Sequence, residues 1–157
     1  MIKLEGIEKA YGGGSHLVMA LDGVNLEISR EEYIAVMGPS GSGKSTLLHI
    51  IGALDLPTAG NYFLEDIGVH LLSDRELARI RNEHFGFVFQ SYNLFPELTA
   101  LENVLMPHII GGGGLKEKRQ EARELLELVD MSHRANHYPS QLSGGEQQRV
   151  AIARALI

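Results

Sequence analysis

The chain has 157 residues, which is enough for one domain with a hydrophobic core. Its 14 basic and 20 acidic residues give a net charge of −6, which argues against loose binding to the phosphate backbone of nucleic acid. It contains no cysteine, which excludes disulfides and thiolate metal sites, and no apolar run reaches the roughly 18 residues that a membrane span needs.

The first predicted elements form a small antiparallel sheet. Residues 2–7 alternate apolar and polar side chains, which predicts a half-exposed strand. Residues 18–21 and 24–28 predict two further short strands around a tight turn. The sheet leads into residues 33–37, an apolar run that predicts a buried strand.

A glycine-rich loop follows this strand at residues 38–46, and an apolar run that predicts a helix comes after it. A loop between a strand and a helix is the context of a P-loop, whereas a chance glycine turn would not need those flanking elements. Glycines can take positive φ and let backbone N–H groups approach a phosphate. Lys44 would supply positive charge for the outer phosphates, Ser45 a hydroxyl for Mg²⁺, and the helix its N-terminal partial charge.

The loop therefore predicts nucleotide binding. The residues expected to take part are Gly38, Pro39, Ser40, Gly41, Ser42, Gly43, Lys44, Ser45 and Thr46.

The middle of the chain predicts alternating strands and short helices. A strand is expected near residues 62–64, and a capping box beginning at Ser73 predicts a helix over about 74–82. Residues 85–89 are nearly all apolar and aromatic, which predicts another buried strand, and this strand ends at Gln90.

Helical patterns dominate after Gln90. A second capping box, from Thr99 to Glu102, opens a helix that Pro107 is expected to close. A helix over about 116–130 carries an apolar stripe at helical spacing, which predicts a core-facing surface rather than a cofactor site. The residues of this stripe are Ala122, Leu125, Leu126 and Val129.

Residues 142–148 read Leu-Ser-Gly-Gly-Glu-Gln-Gln. Ser143 and Glu146 have the spacing of a third capping box, which predicts a helix running through residue 156. The start of that helix would leave backbone N–H groups and the Ser143 hydroxyl free beside two glycines, where an anion could bind. On the residues alone, an ordinary capped helix explains the pattern equally well.

Together these motifs resemble the nucleotide-binding subunit of ATP-binding cassette (ABC) transporters. The loop at 38–46 resembles the Walker A loop of that family, and residues 142–148 resemble its signature motif. Gln90 resembles the Q-loop glutamine, and Tyr11 the aromatic residue that stacks on adenine. The stretches around these motifs, with residues 98–104, resemble more narrowly the lipoprotein-release and macrolide-export class.

The resemblance implies an α/β fold with a P-loop NTPase core, which is RecA-like and mainly parallel. It divides the chain into an antiparallel β part (1–32), a P-loop core (33–90), a helical subdomain (91–141) and a signature helix (142–157).

The resemblance also implies an ATPase that forms a head-to-tail homodimer around two ATP molecules. Lys44 and Gln90 would be catalytic, and Ser45 and Gln90 would hold Mg²⁺. The residues that would contact the ATP of the other subunit are Leu142, Ser143, Gly144, Gly145, Glu146 and Gln147. The partner would be an integral membrane permease, which would place the subunit on the cytoplasmic face of the inner membrane, and no nucleic acid partner is expected.

The chain departs from the family pattern in two places. Glu31 stands where the family usually has glycine, and we expect a surface turn that tolerates it. Members of the family continue past the signature helix into a strand ending in Asp and Glu and then a switch histidine, which this sequence does not contain. We therefore expect a fragment of a longer ATPase, inactive alone, that exposes apolar surface.

Two other functions are compatible with the motifs. Soluble DNA-repair and chromosome ATPases share the Walker A and signature motifs, but they insert a long coiled coil between the two. The interval from Thr46 to Leu142 has no sustained heptads, so it does not fit such an insertion. A non-catalytic nucleotide-binding module would lack the catalytic strand naturally. A metal site at His133 and His137 has no carboxylate at a fitting spacing, so an ordinary surface pair is the favoured interpretation.

Overall fold

The structure is a computed structural model that describes residues 1–114 and 116–157, except for the side chain of Ser15. The chain forms two compact units, Met1–Arg81 and Asn82–Ile157, and each has its own buried core. The predicted subdivision at residues 32, 90 and 141 stays a prediction.

The first unit is built on a four-stranded antiparallel sheet with the order β2-β1-β3-β4. The strands are β1 (Ile2–Tyr11), β2 (Val18–Ile28), β3 (Ala59–Leu64) and β4 (Ile67–Gly68). The strands predicted at 2–7 and 62–64 are present, and both extend beyond the predicted bounds. Side chains from this sheet and from the helices of the unit form its core: Leu4, Ile7, Leu21, Ile50, Tyr62, Leu64, Leu77 and Ile80.

The prediction of two short strands at 18–21 and 24–28 was wrong, because β2 is continuous. Ile7 pairs with Val24 but Lys9 pairs with Leu21, so β2 has one more residue than β1 in this interval. A β-bulge of this kind accommodates the extra residue without ending the pairing. The turn-like residues between the two predicted strands therefore bend one strand instead of separating two.

Two helices belong to the first unit in whole or in large part. These are α1 (Lys44–Ile51) and α2 (Asp74–His84), and the boundary between the two units falls within α2. The helix predicted after the glycine-rich loop is present as α1, but it begins at Lys44, three residues earlier than predicted and inside the predicted loop. The capping box that predicts α2 is formed, since the Ser73 N–H and hydroxyl donate to Glu76 at 2.8 and 2.6 Å.

The predictions of buried strands at 33–37 and 85–89 were wrong: among the described residues, neither segment is paired in a sheet. The Phe85, Phe87 and Phe89 rings stack in a row with centroids 6.1 and 5.8 Å apart, as side chains two residues apart do on one face of a strand. The side chains of both segments are typical of a strand. In the described part of the chain, however, no neighbouring strand forms backbone hydrogen bonds with either segment or packs over it. Apolar surface is exposed as expected, with Tyr33 at 93% and Met37 at 88%.

Glu31 lies in an exposed turn, as expected, and its φ of 62° is in the left-handed region. Glycine adopts that region without steric cost, while a residue with a Cβ is strained there. The backbone of this turn thus explains why glycine suits the position.

The second unit is helical. It contains α3 (Ala100–Ile110), α4 (Arg119–Leu128) and α5 (Gly144–Leu156) around one apolar core. Ala122 and Leu126 of the predicted stripe are buried in this core, and Leu125 and Val129 pack against it, which confirms the stripe. The other buried members of the core are Ala100, Leu101, Val104, Leu105, Met131, Leu142, Val150 and Ala153.

The prediction that Pro107 closes α3 was wrong, because the helix continues to Ile110. Proline lacks an N–H donor and crowds the carbonyl four residues earlier, but its own carbonyl still accepts the Gly111 N–H at 3.0 Å. Proline so near the C-terminal end leaves the last turn able to form.

Candidate functional site

The glycine-rich loop of the first unit ends in an open helix N-terminus. Gly43 is the N-cap of α1, with φ 83° and no side-chain cap, and its carbonyl accepts the Leu47 N–H at 2.8 Å. The first N–H groups of a helix have no partner within the helix. The first turn of α1 contains no acidic residue, so this end keeps its positive partial charge for an anion.

Gly43 is required by the backbone on two grounds. Its φ of 83° is in the left-handed region, and a Cβ placed there would lie 2.4 Å from the Ala20 carbonyl oxygen of β2. The loop is therefore held closely against β2, and a larger residue would push it away.

Lys44 extends back across the loop. Its Nζ donates to the Gly38 carbonyl at 2.8 Å and to the Pro39 carbonyl at 2.6 Å. The ammonium group is thus at the loop rather than in solvent, as a phosphate-binding lysine requires. Ser45 is exposed on the first turn of α1, where its hydroxyl oxygen could serve as a ligand for Mg²⁺.

Tyr11 ends β1 in the same unit and is 42% exposed. Its hydroxyl donates to Asp55 Oδ2 at 3.0 Å, and the Lys9 ammonium lies 5.1 Å from the ring centroid. Tyr11 is paired with Val18 of β2, the strand that also contacts Gly43 through Ala20. The first unit therefore contains both the predicted phosphate loop and the predicted adenine-stacking residue.

Gln90 belongs to the second unit, where it is exposed in a turn after residues 85–89. The residues that follow are unusual, since Tyr92 and Asn93 have φ of 59° and 48°. Because Gln90 and Ser45 lie in different units, their joint role as Mg²⁺ ligands stays a prediction.

The signature motif begins α5, and its capping box is formed. The Ser143 N–H and hydroxyl donate to Glu146 Oε2 at 2.8 and 2.7 Å, and Ser143 Oγ accepts the Glu146 N–H at 3.4 Å. The expectation that the Ser143 hydroxyl is free for an anion was wrong, because the hydroxyl donates its hydrogen bond to the Glu146 carboxylate. Gly144 and Gly145 are exposed beside it.

The Glu146 carboxylate is strongly held in its charged form. Hydrogen bonds from the Ser143 N–H and hydroxyl, with the nearby Arg134 charge, lower the pKa of Glu146 to about 2. Arg134 Nε donates to Glu146 Oε1 at 3.1 Å, which balances the carboxylate. This helix end therefore already carries a negative charge, unlike the N-terminus of α1.

Two other signature side chains support the structure around them. Leu142 is 7% exposed and belongs to the helical core. The Gln147 side-chain amide donates to the carbonyls of Pro139 and Leu142 at 3.0 and 3.1 Å, which fixes the chain just before the motif. Their contact with a nucleotide of another subunit stays a prediction.

The sequence interpretation missed Asn103, a fully buried residue in α3. Its Oδ1 accepts the Phe95 N–H at 2.7 Å, and its Nδ2 donates to three carbonyls, those of Phe95, Leu98 and Thr99. An asparagine on an otherwise apolar helix face was the signal that could have found it, because buried polar side chains need partners.

Arg154 of α5 was also missed. It is 9% exposed, and its guanidinium donates to the carbonyls of Tyr92 and Asn93. The Tyr92 hydroxyl also lies 3.2 Å from where a Cβ on Gly144 would be. The segment after Gln90 is thus fixed along the signature helix, within the second unit.

The described residues contain no group of three or more His, Asp or Glu side chains that could hold a metal ion. His137 instead has its Nε2 3.1 Å from Arg134 Nη1.

Comparison with known proteins places the chain among ATP-binding cassettes. The ABC transporter family matches residues 21–157. The chain is 47% identical to the lipoprotein-releasing system ATP-binding protein LolD of Xylella fastidiosa over 99% of its own length and 65% of LolD. It is 49% identical to the macrolide export ATP-binding/permease protein MacB of Rhodopirellula baltica, of which it covers 23%.

A solved structure of MJ0796, a dimeric ABC transporter cassette, has the same fold. The two structures superpose with a TM-score of 0.90 at 51% sequence identity. The match covers 99% of this chain and 69% of the MJ0796 chain. MJ0796 comes from Methanocaldococcus jannaschii. A second structure of MJ0796 is described as a post-hydrolysis state bound to ADP and Pi. The predicted fold class is confirmed by this likeness, but the mainly parallel sheet expected for the core is not formed in the described residues, whose sheet is antiparallel. The chain spans about two thirds of the length of LolD and of MJ0796.

Proposed function

Because the chain belongs to the ABC transporter family, we propose that it is the ATP-binding subunit of a transporter and binds MgATP at residues 38–46. The observation that carries this proposal is the loop itself, in which the Lys44 ammonium lies against the loop carbonyls beside the uncapped start of α1. A triphosphate needs such a combination of N–H groups and a fixed cation.

Each part of the nucleotide meets a suitable group in the first unit. The loop N–H groups and Lys44 bind the phosphates, and the exposed Ser45 hydroxyl is a ligand for Mg²⁺, which would neutralise charge on the outer phosphates. The half-exposed Tyr11 ring stacks on adenine. Gly38, Gly41 and Gly43 keep the loop backbone close to the phosphates.

The signature residues 142–147 bind the nucleotide held by a second copy of the chain. The related MJ0796 cassette is described as dimeric, which supports this arrangement. Glu146 keeps its charge at the start of α5, and the balancing Arg134 contact makes this end less repulsive to a phosphate. The exposed Gly144 and Gly145 let the helix start approach closely.

Hydrolysis is the reaction we propose for the complete protein. The MJ0796 state with ADP and Pi supports ATP hydrolysis in a protein of this fold. Lys44 would stabilise the charge that builds on the transferred phosphoryl group, and Gln90 would orient the attacking water and bind Mg²⁺.

The transport class we propose is lipoprotein release or macrolide export, which the names of LolD and MacB support. These transporter relatives favour this function over a soluble DNA-repair ATPase or a non-catalytic module. No helix in the described part of the chain is long and apolar enough to cross a membrane. We propose that a separate membrane permease holds the subunit on the cytoplasmic face of the inner membrane.

Isothermal titration with MgATP tests the binding site. The Lys44→Ala variant should bind MgATP at least about a hundredfold more weakly than the unchanged chain, because a charge-assisted contact to phosphate is lost. Lys3→Ala removes the same charge from β1 and should leave the affinity unchanged. Equal affinity of the unchanged chain and Lys44→Ala would show that this loop is not the phosphate site.

A further inference from the structure

Two polar side chains of the first unit, those of Lys9 and Tyr11, meet at the Asp55 carboxylate. Lys9 Nζ donates to Asp55 Oδ1 at 2.6 Å, and the Tyr11 hydroxyl donates to Asp55 Oδ2 at 3.0 Å. Lys9 also donates to the Leu56 carbonyl at 2.7 Å. The two oxygens of one carboxylate therefore hold two side chains near the end of β1, two positions apart.

Asp55 is fixed in its turn to the end of α1. The N–H groups of Leu54 and Asp55 donate to the His49 carbonyl at 2.8 and 3.2 Å, and the Leu56 N–H donates to Asp55 Oδ1 at 2.8 Å. Since α1 begins with Lys44, the carboxylate joins Tyr11 to the helix that carries the phosphate-binding residues.

The other attachment of Tyr11 also leads to the loop. Tyr11 pairs with Val18, and two residues further along β2 Ala20 lies against Gly43. Strand geometry puts the Tyr11 backbone about 8 Å from that contact. An adenine on the Tyr11 ring and a triphosphate at residues 38–46 are therefore within the reach of one nucleotide.

The Asp55 carboxylate is held in its charged form, which accepts hydrogen bonds. Burial would raise the pKa of Asp55, but hydrogen bonds from Lys9 and Tyr11 hold it below its ordinary value. The Lys9 side chain is only 13% exposed, so this ion pair is shielded from water more than a typical surface pair. The Lys9 ammonium also lies 5.1 Å from the Tyr11 ring centroid, where a cation attracts the π face.

We propose that Asp55, with Lys9, is a positioning residue that fixes the Tyr11 ring for the base of the nucleotide. The proposal rests on the proposed MgATP site. Asp55 does not touch the nucleotide itself; it acts through Tyr11 by keeping the ring in one orientation before binding. A ring already held in place loses less conformational entropy when adenine stacks on it.

The test compares two ligands by isothermal titration: MgATP, which has a base, and magnesium tripolyphosphate, which has none. Asp55→Ala and Tyr11→Phe should each weaken MgATP binding about threefold to tenfold, a range set by the strength of aromatic stacking. Both variants should leave tripolyphosphate affinity unchanged. Tyr11→Phe keeps the ring and removes only the hydroxyl, so it tests the anchor even if Asp55→Ala destabilises the chain.

A double-mutant cycle separates positioning from direct contact. In a Tyr11→Ala background, Asp55→Ala should have no further effect on MgATP affinity, because the ring it positions is absent. Glu5→Ala breaks the exposed Lys3–Glu5 ion pair on the same strand and is the matched control, with no effect on either ligand.

The results distinguish this inference from the proposed function. If Tyr11→Phe and Asp55→Ala both keep the MgATP to tripolyphosphate affinity ratio of the unchanged chain, Asp55 does not position the ring, although the phosphate site stands. If Lys44→Ala binds both ligands with the affinity of the unchanged chain, residues 38–46 are not the phosphate site. The positioning role of Asp55 is then also refuted.

Discussion

The N-termini of α1 and α5 differ in local charge, and single residues cause the difference. The N-cap of α1 is Gly43, and no acidic residue follows in the first turn. The N-cap of α5 is Ser143, and Glu146 brings its own carboxylate to the same kind of site. An anionic ligand therefore meets unsatisfied N–H groups at the first helix and a balanced carboxylate at the second.

At the residue scale, the charge on Glu146 should be visible in the pH dependence of stability. Its pKa is lowered to about 2 in the folded chain from an ordinary value of 4.5, so its contribution is fully present above about pH 4.5. That contribution is lost as the pH falls from 4.5 towards 2. Glu146→Gln should therefore differ most from the unchanged chain in melting temperature at neutral pH, and the difference should shrink below pH 4.5.

Ser143→Ala is the matched variant, because it removes the hydroxyl bond to Glu146 and keeps the N–H bond. It should reduce the pH dependence without abolishing it. A melting-temperature difference for Glu146→Gln that stays constant between pH 7 and pH 2 would contradict the assigned hydrogen bonds.

At the element scale, α3 shows how one buried amide organises a loop. Asn103 satisfies backbone groups of Phe95, Leu98 and Thr99, and so shapes the approach to the N-cap of its own helix. The capping box supports the same junction, since the Thr99 N–H donates to Glu102 at 2.8 Å. Local sequence predicted the capping box, but the partners of Asn103 depend on a loop that folds back.

Asn103→Asp should destabilise the second unit by about 3 kcal/mol, because the amide donor is replaced by an oxygen that faces three carbonyls. The change keeps the shape of the side chain, so the loss reports hydrogen bonding and charge. Urea unfolding followed by circular dichroism measures it. Asn136→Asp, the same change at an exposed position, should stay within about 0.5 kcal/mol of the unchanged chain; equal effects of the two substitutions would refute the role of Asn103.

At the scale of the whole molecule, the chain exposes the apolar run at residues 33–37, whose side chains are of the kind usually buried. Tyr33, Ile34 and Met37 are exposed by 93, 37 and 88%. Consecutive exposed apolar residues form a patch, which binds hydrophobic probes and promotes association more than scattered ones do.

A double variant, Tyr33→Ser with Met37→Ser, should lower the fluorescence of the dye ANS in the presence of the chain and reduce self-association in sedimentation. Leu71→Ser with Leu128→Ser removes two exposed apolar side chains that lie apart in the sequence, at 79 and 72% exposure. This control should lower the dye signal less. Equal losses from the two double variants would show that the segment does not act as a patch.

Features that depend on neighbours along the chain can be predicted from the residues alone. The phosphate loop with its helix, the three capping boxes and the apolar stripe on α4 follow from residue types at fixed short spacings. Gly43 takes the left-handed conformation that this local pattern allows, while α1 begins at Lys44, three residues before the predicted start.

Features that need a partner far away in the sequence depend on how the chain folds. Whether residues 33–37 and 85–89 form strands depends on backbone hydrogen bonds from another strand, which the described chain does not supply. The same holds for Asp55 with Tyr11 and for Arg154 with the carbonyls of Tyr92 and Asn93, because each contact joins residues more than 40 positions apart. Sequence patterns report propensity over a few residues, whereas these contacts exist only after the chain has folded.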